Sequence, residues 1–161
     1  MRDFYVLGIN FLHSDTSACI LKNGKLIAAA EEERFSRIKH TSSFPVKSIN
    51  FCLSEVQIDI SAVDIITINS NPFSSLDKKI LFTLKNIKRY VLALKSISNI
   101  KKKITIKKLI SLNFKKKFKG KIVYLDHHLS HIASSSFFSN FDESVNLSID
   151  GFGDFASAGW G

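Results

Sequence analysis

Cysteines are few in this chain and long apolar runs are missing, which limits the kind of protein it can be. Its 161 residues include only two cysteines, Cys19 and Cys52. They exclude a disulfide framework and indicate a reducing cytosol. No uninterrupted apolar run approaches the length of a membrane span, and the amino terminus lacks a charged region followed by a long apolar stretch. We therefore expect a cytoplasmic protein with no signal peptide and no membrane span.

Acidic residues are missing from residues 78–121, which contain 16 of the 23 Lys and Arg residues. All 14 acidic residues lie outside this segment, so the net charge of +9 is a local excess. Aromatic side chains are sparse in it, which argues against stacking with nucleic-acid bases. We interpret 78–121 as a variable, solvated, lysine-rich insert. A docking face for an acidic acceptor or partner is the second interpretation, and nucleic-acid binding is the third.

The chain as a whole has the composition of a folded domain, because 45% of its residues are hydrophobic and 14 are Phe. Patterning predicts strands over 5–10, 17–21, 25–30, 64–69, 122–125 and 145–149, and helices beginning at 45, 78 and 127. Residues 96–120 are predicted to be a broken helix and loop. Asn23-Gly24 between two apolar runs is a hairpin signal. This mixed order predicts an α/β sheet covered by helices.

A histidine motif follows the predicted strand at 122–125. His127 and His131 are four residues apart and therefore lie on one face of the predicted helix. Asp150 follows a neighbouring strand. Two imidazoles and one carboxylate predict a three-ligand metal site with open positions, suited to chemistry on a phosphorylated or nucleotidyl substrate.

The neighbours of this motif have separate interpretations. His128 faces elsewhere on the helix, so we leave it out of the ligand set and expect little change in metal binding in His128→Ala. Asp126 is interpreted as the helix cap, and a role in orienting a ligand is the alternative. Gly151 and Gly153 form a turn whose N–H groups are suited to a phosphate.

Four motifs in order resemble the amino-terminal domain of the nodulation-protein-U-type O-carbamoyltransferases. They are Leu7–Ala18, Glu31–His40, Asp126–Ser134 and Ile149–Asp154. The resemblance covers essentially the whole chain, and the lysine-rich segment matches it least well. It implies an actin/sugar-kinase-like (ribonuclease-H-like) fold, with a mixed sheet flanked by helices.

The resemblance also implies a division into domains. Residues 1–143 would form a first subdomain that includes the insert at about 78–121, and 144–161 would begin a second. We expect the partner strand of the predicted strand at 145–149 to be missing from this chain. We therefore expect this chain to be an amino-terminal piece of a longer protein.

The resemblance implies a two-stage reaction. Carbamoyl phosphate and ATP yield carbamoyl-adenylate at a separate carboxy-terminal domain, present in cis or as a separate chain. The amino-terminal domain then passes the carbamoyl group to a hydroxyl of a small-molecule acceptor. His127, His131 and Asp150 would be ligands of a divalent metal, Fe(II), with a fourth ligand from far downstream, and His13 would be catalytic.

Substrate contacts and competing functions complete these expectations. Lys39, His40, Gly151, Gly153 and Asp154 are candidates for binding substrate or phosphate. One alternative is a metal-dependent relative of the tRNA threonylcarbamoyl-transferases, which pair the second of two adjacent histidines with the last. The other is a decayed, non-catalytic fragment. The chain alone is expected to be inactive.

Overall fold

The computed structural model describes residues 2–11, 13–71, 74, 78, 81, 106–153 and 156–161. Two units are compact: unit 1 is residues 1–68 with 102–123, and unit 2 is residues 69–101 with 124–161. The strands are β1 (Tyr5–Asn10), β2 (Ser17–Lys22), β3 (Lys25–Glu31), β4 (Ile65–Ile68), β5 (Lys121–Tyr124), β6 (Leu147–Gly153) and β7 (Ala156–Trp160). The helices are α1 (Glu33–Ser36), α2 (Val46–Glu55), α3 (Ile106–Asn113) and α4 (His127–Phe137), with a 3-10 turn at Ile60–Ala62.

A five-stranded mixed sheet forms the body of unit 1, in the order β3-β2-β1-β4-β5. Strands β1, β2 and β3 are antiparallel neighbours, whereas β4 runs parallel to β1. Helix α2 packs on β2 and β3. The α/β class and the mixed, helix-flanked sheet of the actin/sugar-kinase-like expectation are thus confirmed. The subdomain boundary near residue 143 stays a prediction.

The hairpin between β2 and β3 forms where Asn23-Gly24 predicts it. Both residues have positive φ, 52° for Asn23 and 81° for Gly24, as a two-residue type I′ turn requires. Lys22 pairs with Lys25 at the end of the ladder. The Asn23 side chain also accepts a hydrogen bond from the Phe4 backbone N–H at 2.8 Å, which ties the turn to the residue preceding β1.

The core of unit 1 follows from strand alternation and helix periodicity. Leu7 and Ile9 of β1 point inward at alternate positions and are almost completely buried. Ile49 and Leu53 lie four residues apart on α2 and are buried too. The predicted apolar stripe of this helix, which begins at Val46 directly after Pro45, is therefore confirmed for both residues.

The last third of the lysine-rich segment contributes to the core, whereas we expected a solvated broken helix and loop. Helix α3 buries Ile106 and Ile110 completely, and Phe118 is 5% exposed. The two isoleucines are four residues apart, so α3 presents one apolar face to the core while its lysines remain exposed. The expectation of a solvated segment was wrong for Ile106, Ile110 and Phe118, because the abundance of lysine concealed this face. The predicted helix over Ile80–Leu94 falls almost entirely outside the described residues.

In unit 2, helix α4 packs on one face of the antiparallel β6–β7 hairpin. On the opposite face of the hairpin, three apolar side chains are largely exposed: Leu147 (67%), Ile149 (77%) and Trp160 (80%). The expectation that β6 lacks a partner strand was wrong, because β7 pairs with it. Among the described residues, no helix is both long and apolar enough to cross a membrane.

Candidate metal centre

The start of α4 is set by Asp126, which is the helix cap. Its carboxylate accepts hydrogen bonds from the backbone N–H groups of His128 at 3.0 Å and Leu129 at 3.2 Å. Such a cap satisfies N–H groups that have no partner within the helix. The capping interpretation of Asp126 is confirmed, and the first helical residue is His127.

Three side chains of unit 2 converge on one point beside α4. His127 Nε2 and His131 Nε2 are 3.2 Å apart, as the spacing of four residues predicts. Asp150 Oδ2 on β6 lies 2.6 Å from His127 Nε2 and 3.6 Å from His131 Nε2. The His127 side chain is 10% exposed, whereas His131 is 53% and Asp150 is 39% exposed. The cluster is therefore anchored on its buried side and open on the other.

The Asp150 carboxylate is held in its ionised form. The hydrogen bond from the His127 imidazole, followed by the one from the Gly151 backbone N–H, lowers the pKa of Asp150 below its usual range. A carboxylate must be ionised to bind a cation. Asp150 therefore carries negative charge at neutral pH, at the point where the two imidazole nitrogens converge.

The donor set fits a divalent transition metal. The three ligand atoms all lie within 4.8 Å of one another. Ligands bound about 2.0–2.1 Å from one metal are roughly 2.9–3.4 Å apart, so the observed separations need to change by only a few tenths of an ångström. Two imidazoles with one carboxylate suit iron, manganese or zinc. The role of the three side chains as ligands stays a prediction.

His128 is buried beside this cluster and does not belong to it. It is 4% exposed, and its Nδ1 lies 2.9 Å from the Ser148 hydroxyl, which is itself 6% exposed. The sequence interpretation left His128 out of the ligand set, which stays a prediction, and missed its contact with Ser148. Strand alternation was the available signal, because Ser148 is two residues from Asp150 and therefore shares its side of β6.

His13 lies in unit 1, on the loop that follows β1, and is half-buried. The loop is tied to the segment that carries Lys39 and His40. Asp15 Oδ1 lies 3.0 Å from His40 Nδ1, and the Thr16 backbone N–H donates to the Thr41 carbonyl at 3.2 Å. Lys39 and His40 are exposed. Their candidate roles, like that of His13, stay predictions.

Glu32 is a structural residue that the sequence interpretation missed. In a run of three glutamates it is 5% exposed, and its carboxylate accepts hydrogen bonds from Ser48 N and Ser48 Oγ, both at 2.8 Å, and from Lys47 N at 3.2 Å. These donors lie in the first turn of α2, where a negative charge is favourable. Glu32 therefore joins the end of β3 to the start of α2.

The expectation of a turn formed by Gly151 and Gly153 was wrong, because both residues belong to β6. Gly151 is exposed, and its backbone N–H donates to the carboxylate of Asp150. That N–H group is therefore not directed at a phosphate in this arrangement. Gly153 ends β6, and Asp154 lies outside the described residues. Phosphate binding by Gly151, Gly153 and Asp154 stays a prediction.

Comparison with known proteins gives one family and several relatives. The family described as Carbamoyltransferase N-terminus matches residues 5–160. The chain is 34% identical to protein sll1178 of Synechocystis sp., over 95% of this chain and 26% of that protein. It is 33% identical to the nodulation protein NolNO of Sinorhizobium fredii, over 91% of this chain and 21% of that protein. The chain thus spans about a quarter of the length of these relatives.

Among solved structures, the chain is similar to YeaZ from Pseudomonas aeruginosa. The TM-score is 0.42 and the sequence identity is 12%, over 83% of this chain and 48% of that chain.

Proposed function

The chain belongs to the carbamoyltransferase amino-terminal family, and we propose that it forms the acceptor side of an O-carbamoyltransferase. In this proposal the carbamoyl group of carbamoyl-adenylate is moved to a hydroxyl of a small-molecule acceptor. The observation that carries the proposal is the convergence of His127, His131 and Asp150 in a chain that matches the family over residues 5–160. ATP and carbamoyl phosphate would be substrates of the full-length enzyme.

The three converging side chains would hold Fe(II) through His127 Nε2, His131 Nε2 and an Asp150 oxygen. When bound, the cation supplies positive charge for the adenylate phosphate and for the negative charge that develops as the carbamoyl–oxygen bond breaks. His127 supports this role because it is fixed in the buried wall of the cluster. The greater exposure of His131 and Asp150 leaves the opposite side accessible to a substrate.

His13 would act on the acceptor. An imidazole titrates near neutral pH, so it can take the proton of the acceptor hydroxyl as the new carbamoyl–oxygen bond forms. The loop that carries His13 is held by contacts between Asp15 and His40 and between Thr16 and Thr41. These contacts support a fixed orientation for the loop, and they bring Lys39 and His40 into the same part of unit 1.

We propose further that the adenylate-forming domain and a fourth metal ligand lie in the remaining three quarters of the full-length protein or in a separate chain. The same proposal includes a cytoplasmic location. The tRNA-type alternative is less well supported. His127 rather than His128 lies next to His131, whereas His128 is engaged by Ser148.

The experiment compares the chain alone with the reconstituted enzyme. Purified chain is incubated without oxygen with ATP, carbamoyl phosphate, Fe(II) and a panel of hydroxylated acceptors, and carbamoylated product is sought by mass spectrometry. We expect none. Product should appear when the region of sll1178 beyond the matched segment is added, and should disappear with His127→Ala. Turnover by the chain alone, or equal turnover with wild type and His127→Ala, would contradict the proposal.

A further inference from the structure

His128 makes the most buried polar contact between α4 and the β6–β7 hairpin among the described residues. Its ring nitrogen Nδ1 and the Ser148 hydroxyl are 2.9 Å apart, and both residues are almost fully buried. Breaking a hydrogen bond in such surroundings is costly, because it leaves a buried polar group with neither a protein partner nor water to bond to. The pair therefore fixes where the first turn of α4 sits along β6.

Gly159 completes this contact from the neighbouring strand. It pairs with Ser148 across the hairpin, so both residues lie beneath His128. A Cβ atom at position 159 would come within 2.9 Å of His128 Cβ, closer than side-chain atoms approach in practice. Ser148 thus supplies the hydrogen bond, and Gly159 supplies the space that lets α4 approach the sheet.

The same contact determines which residue of β6 faces His127. Ser148 and Asp150 are two residues apart on β6, and His127 and His128 are adjacent on α4. With His128 hydrogen-bonded to Ser148, the Asp150 carboxylate meets His127 Nε2 at 2.6 Å. Regular pairing with β7 ends at Ile149, so the strand ladder alone does not fix Asp150.

We propose that His128 and Ser148 are positioning residues that set the register between the two metal-binding histidines of α4 and the Asp150 carboxylate. This inference rests on the proposed function, because it presupposes the metal centre. It also revises the sequence-based expectation for His128. Substitutions that break this contact move Asp150 relative to the imidazoles and weaken metal binding, although neither residue touches the metal. Substitution of a residue that orients a metal ligand typically lowers metal affinity by about 10- to 100-fold.

The test is an anaerobic titration of the chain with Co²⁺, followed by visible absorption, which reports both affinity and ligand geometry. His128→Asn keeps an amide near the position of Nδ1, whereas His128→Gln places its amide near Nε2. Ser148→Ala removes the partner hydroxyl. Ser134→Ala is the matched control, because its hydroxyl donates only to the His131 carbonyl within the exposed part of α4.

We expect Ser148→Ala and His128→Gln to bind Co²⁺ about 10- to 100-fold more weakly, with altered absorption bands. The Co²⁺ affinity of His128→Asn and Ser134→Ala should remain within about threefold of the wild-type affinity. This change is smaller than the one expected when an orienting residue is lost. Far-ultraviolet circular dichroism checks that each variant is folded, and the comparison of Asn with Gln stands even if Ser148→Ala does not fold.

Two results overturn the inference while leaving the metal centre intact. One is wild-type affinity and spectrum in both Ser148→Ala and His128→Gln. The other is an equal loss in His128→Asn and His128→Gln, which would show that the Nδ1 contact is not what matters. Failure of the wild-type chain to bind Co²⁺ at all is a distinct outcome, which overturns the metal centre itself and the inference with it.

Discussion

Ser148 and Asp150 lie on the same side of β6, and each contacts one of two adjacent histidines on α4. The Ser148 hydroxyl is 2.9 Å from His128 Nδ1, and Asp150 Oδ2 is 2.6 Å from His127 Nε2. The first contact is buried, whereas the second is at the edge of an open cluster. The strand therefore combines a structural contact with a candidate metal ligand within three residues.

The close approach of β7 to α4 predicts a large difference between two glycine substitutions. Gly159→Ala would put a Cβ 2.9 Å from His128 Cβ, so helix or strand must shift. We expect a loss of about 1–3 kcal/mol in the free energy of unfolding, together with weaker metal binding. Gly151→Ala, with nothing within 4 Å of the added Cβ, is the control and should leave stability nearly unchanged. Chemical denaturation of both variants checks this, and equal stabilities would argue against the packing described.

Burial of α3 predicts that part of the lysine-rich segment is essential for folding. Ile110 is fully buried, so Ile110→Ala should destabilise the protein by about 2–5 kcal/mol. Leu112 lies on the same helix but is 72% exposed, and Leu112→Ala should cost far less. Urea denaturation distinguishes the two variants. If Ile110→Ala were as stable as Leu112→Ala, α3 would be the solvated insert that the sequence suggested.

The buried Glu32 carboxylate predicts that one glutamate in a run of three matters for stability. Glu32→Ala removes the acceptor for Ser48 and Lys47, and hydrogen bonds to a charged group contribute about 1.5–3 kcal/mol. Glu31→Ala is the control, because the ion pair of Glu31 with Arg34 is largely exposed. The unfolding temperature should fall strongly in Glu32→Ala and only a little in Glu31→Ala. Comparable shifts would contradict the role of Glu32 in joining β3 to α2.

The two cysteines are predicted to be unreactive in the folded protein. Burial raises the pKa of the Cys52 thiol to about 12 and also raises that of Cys19. The pKa of the Cys52 thiol is higher in the folded protein than its unfolded-state value near 9. Its contribution to the free energy of unfolding is therefore fully present below pH 9 and is lost as the pH rises from there towards 12. At pH 8 a disulfide reagent should label neither thiol until denaturant is added. Rapid labelling of the native protein would contradict this prediction.

The parts of the structure that sequence predicts well depend on neighbouring residues. Asn23-Gly24 specifies its turn through local backbone preference, and Asp126 caps the helix that begins beside it. The spacing of His127 and His131 likewise fixes their proximity once α4 forms. Each of these features requires knowledge of only four or five consecutive residues.

The parts that sequence did not predict depend on partners distant along the chain. Glu32 is buried because Ser48, 16 residues later, lies at the start of a packed helix. Ser148 contacts His128 from 20 residues away; strand alternation places Ser148 on the same side of β6 as Asp150 but does not identify His128 as its partner. The burial of Ile106 is an exception. Its spacing of four residues from Ile110 was a local indication of an apolar helix face, but the surrounding lysines led us to predict a solvated segment.

The most direct test of the account is the position of the metal itself. Crystals of the chain equilibrated with Fe(II) without oxygen would be measured by anomalous diffraction at the iron absorption edge. The account predicts one strong peak, about 2.0–2.3 Å from His127 Nε2, His131 Nε2 and an oxygen of Asp150. No peak at saturating Fe(II), or a peak bound by other side chains, would contradict it.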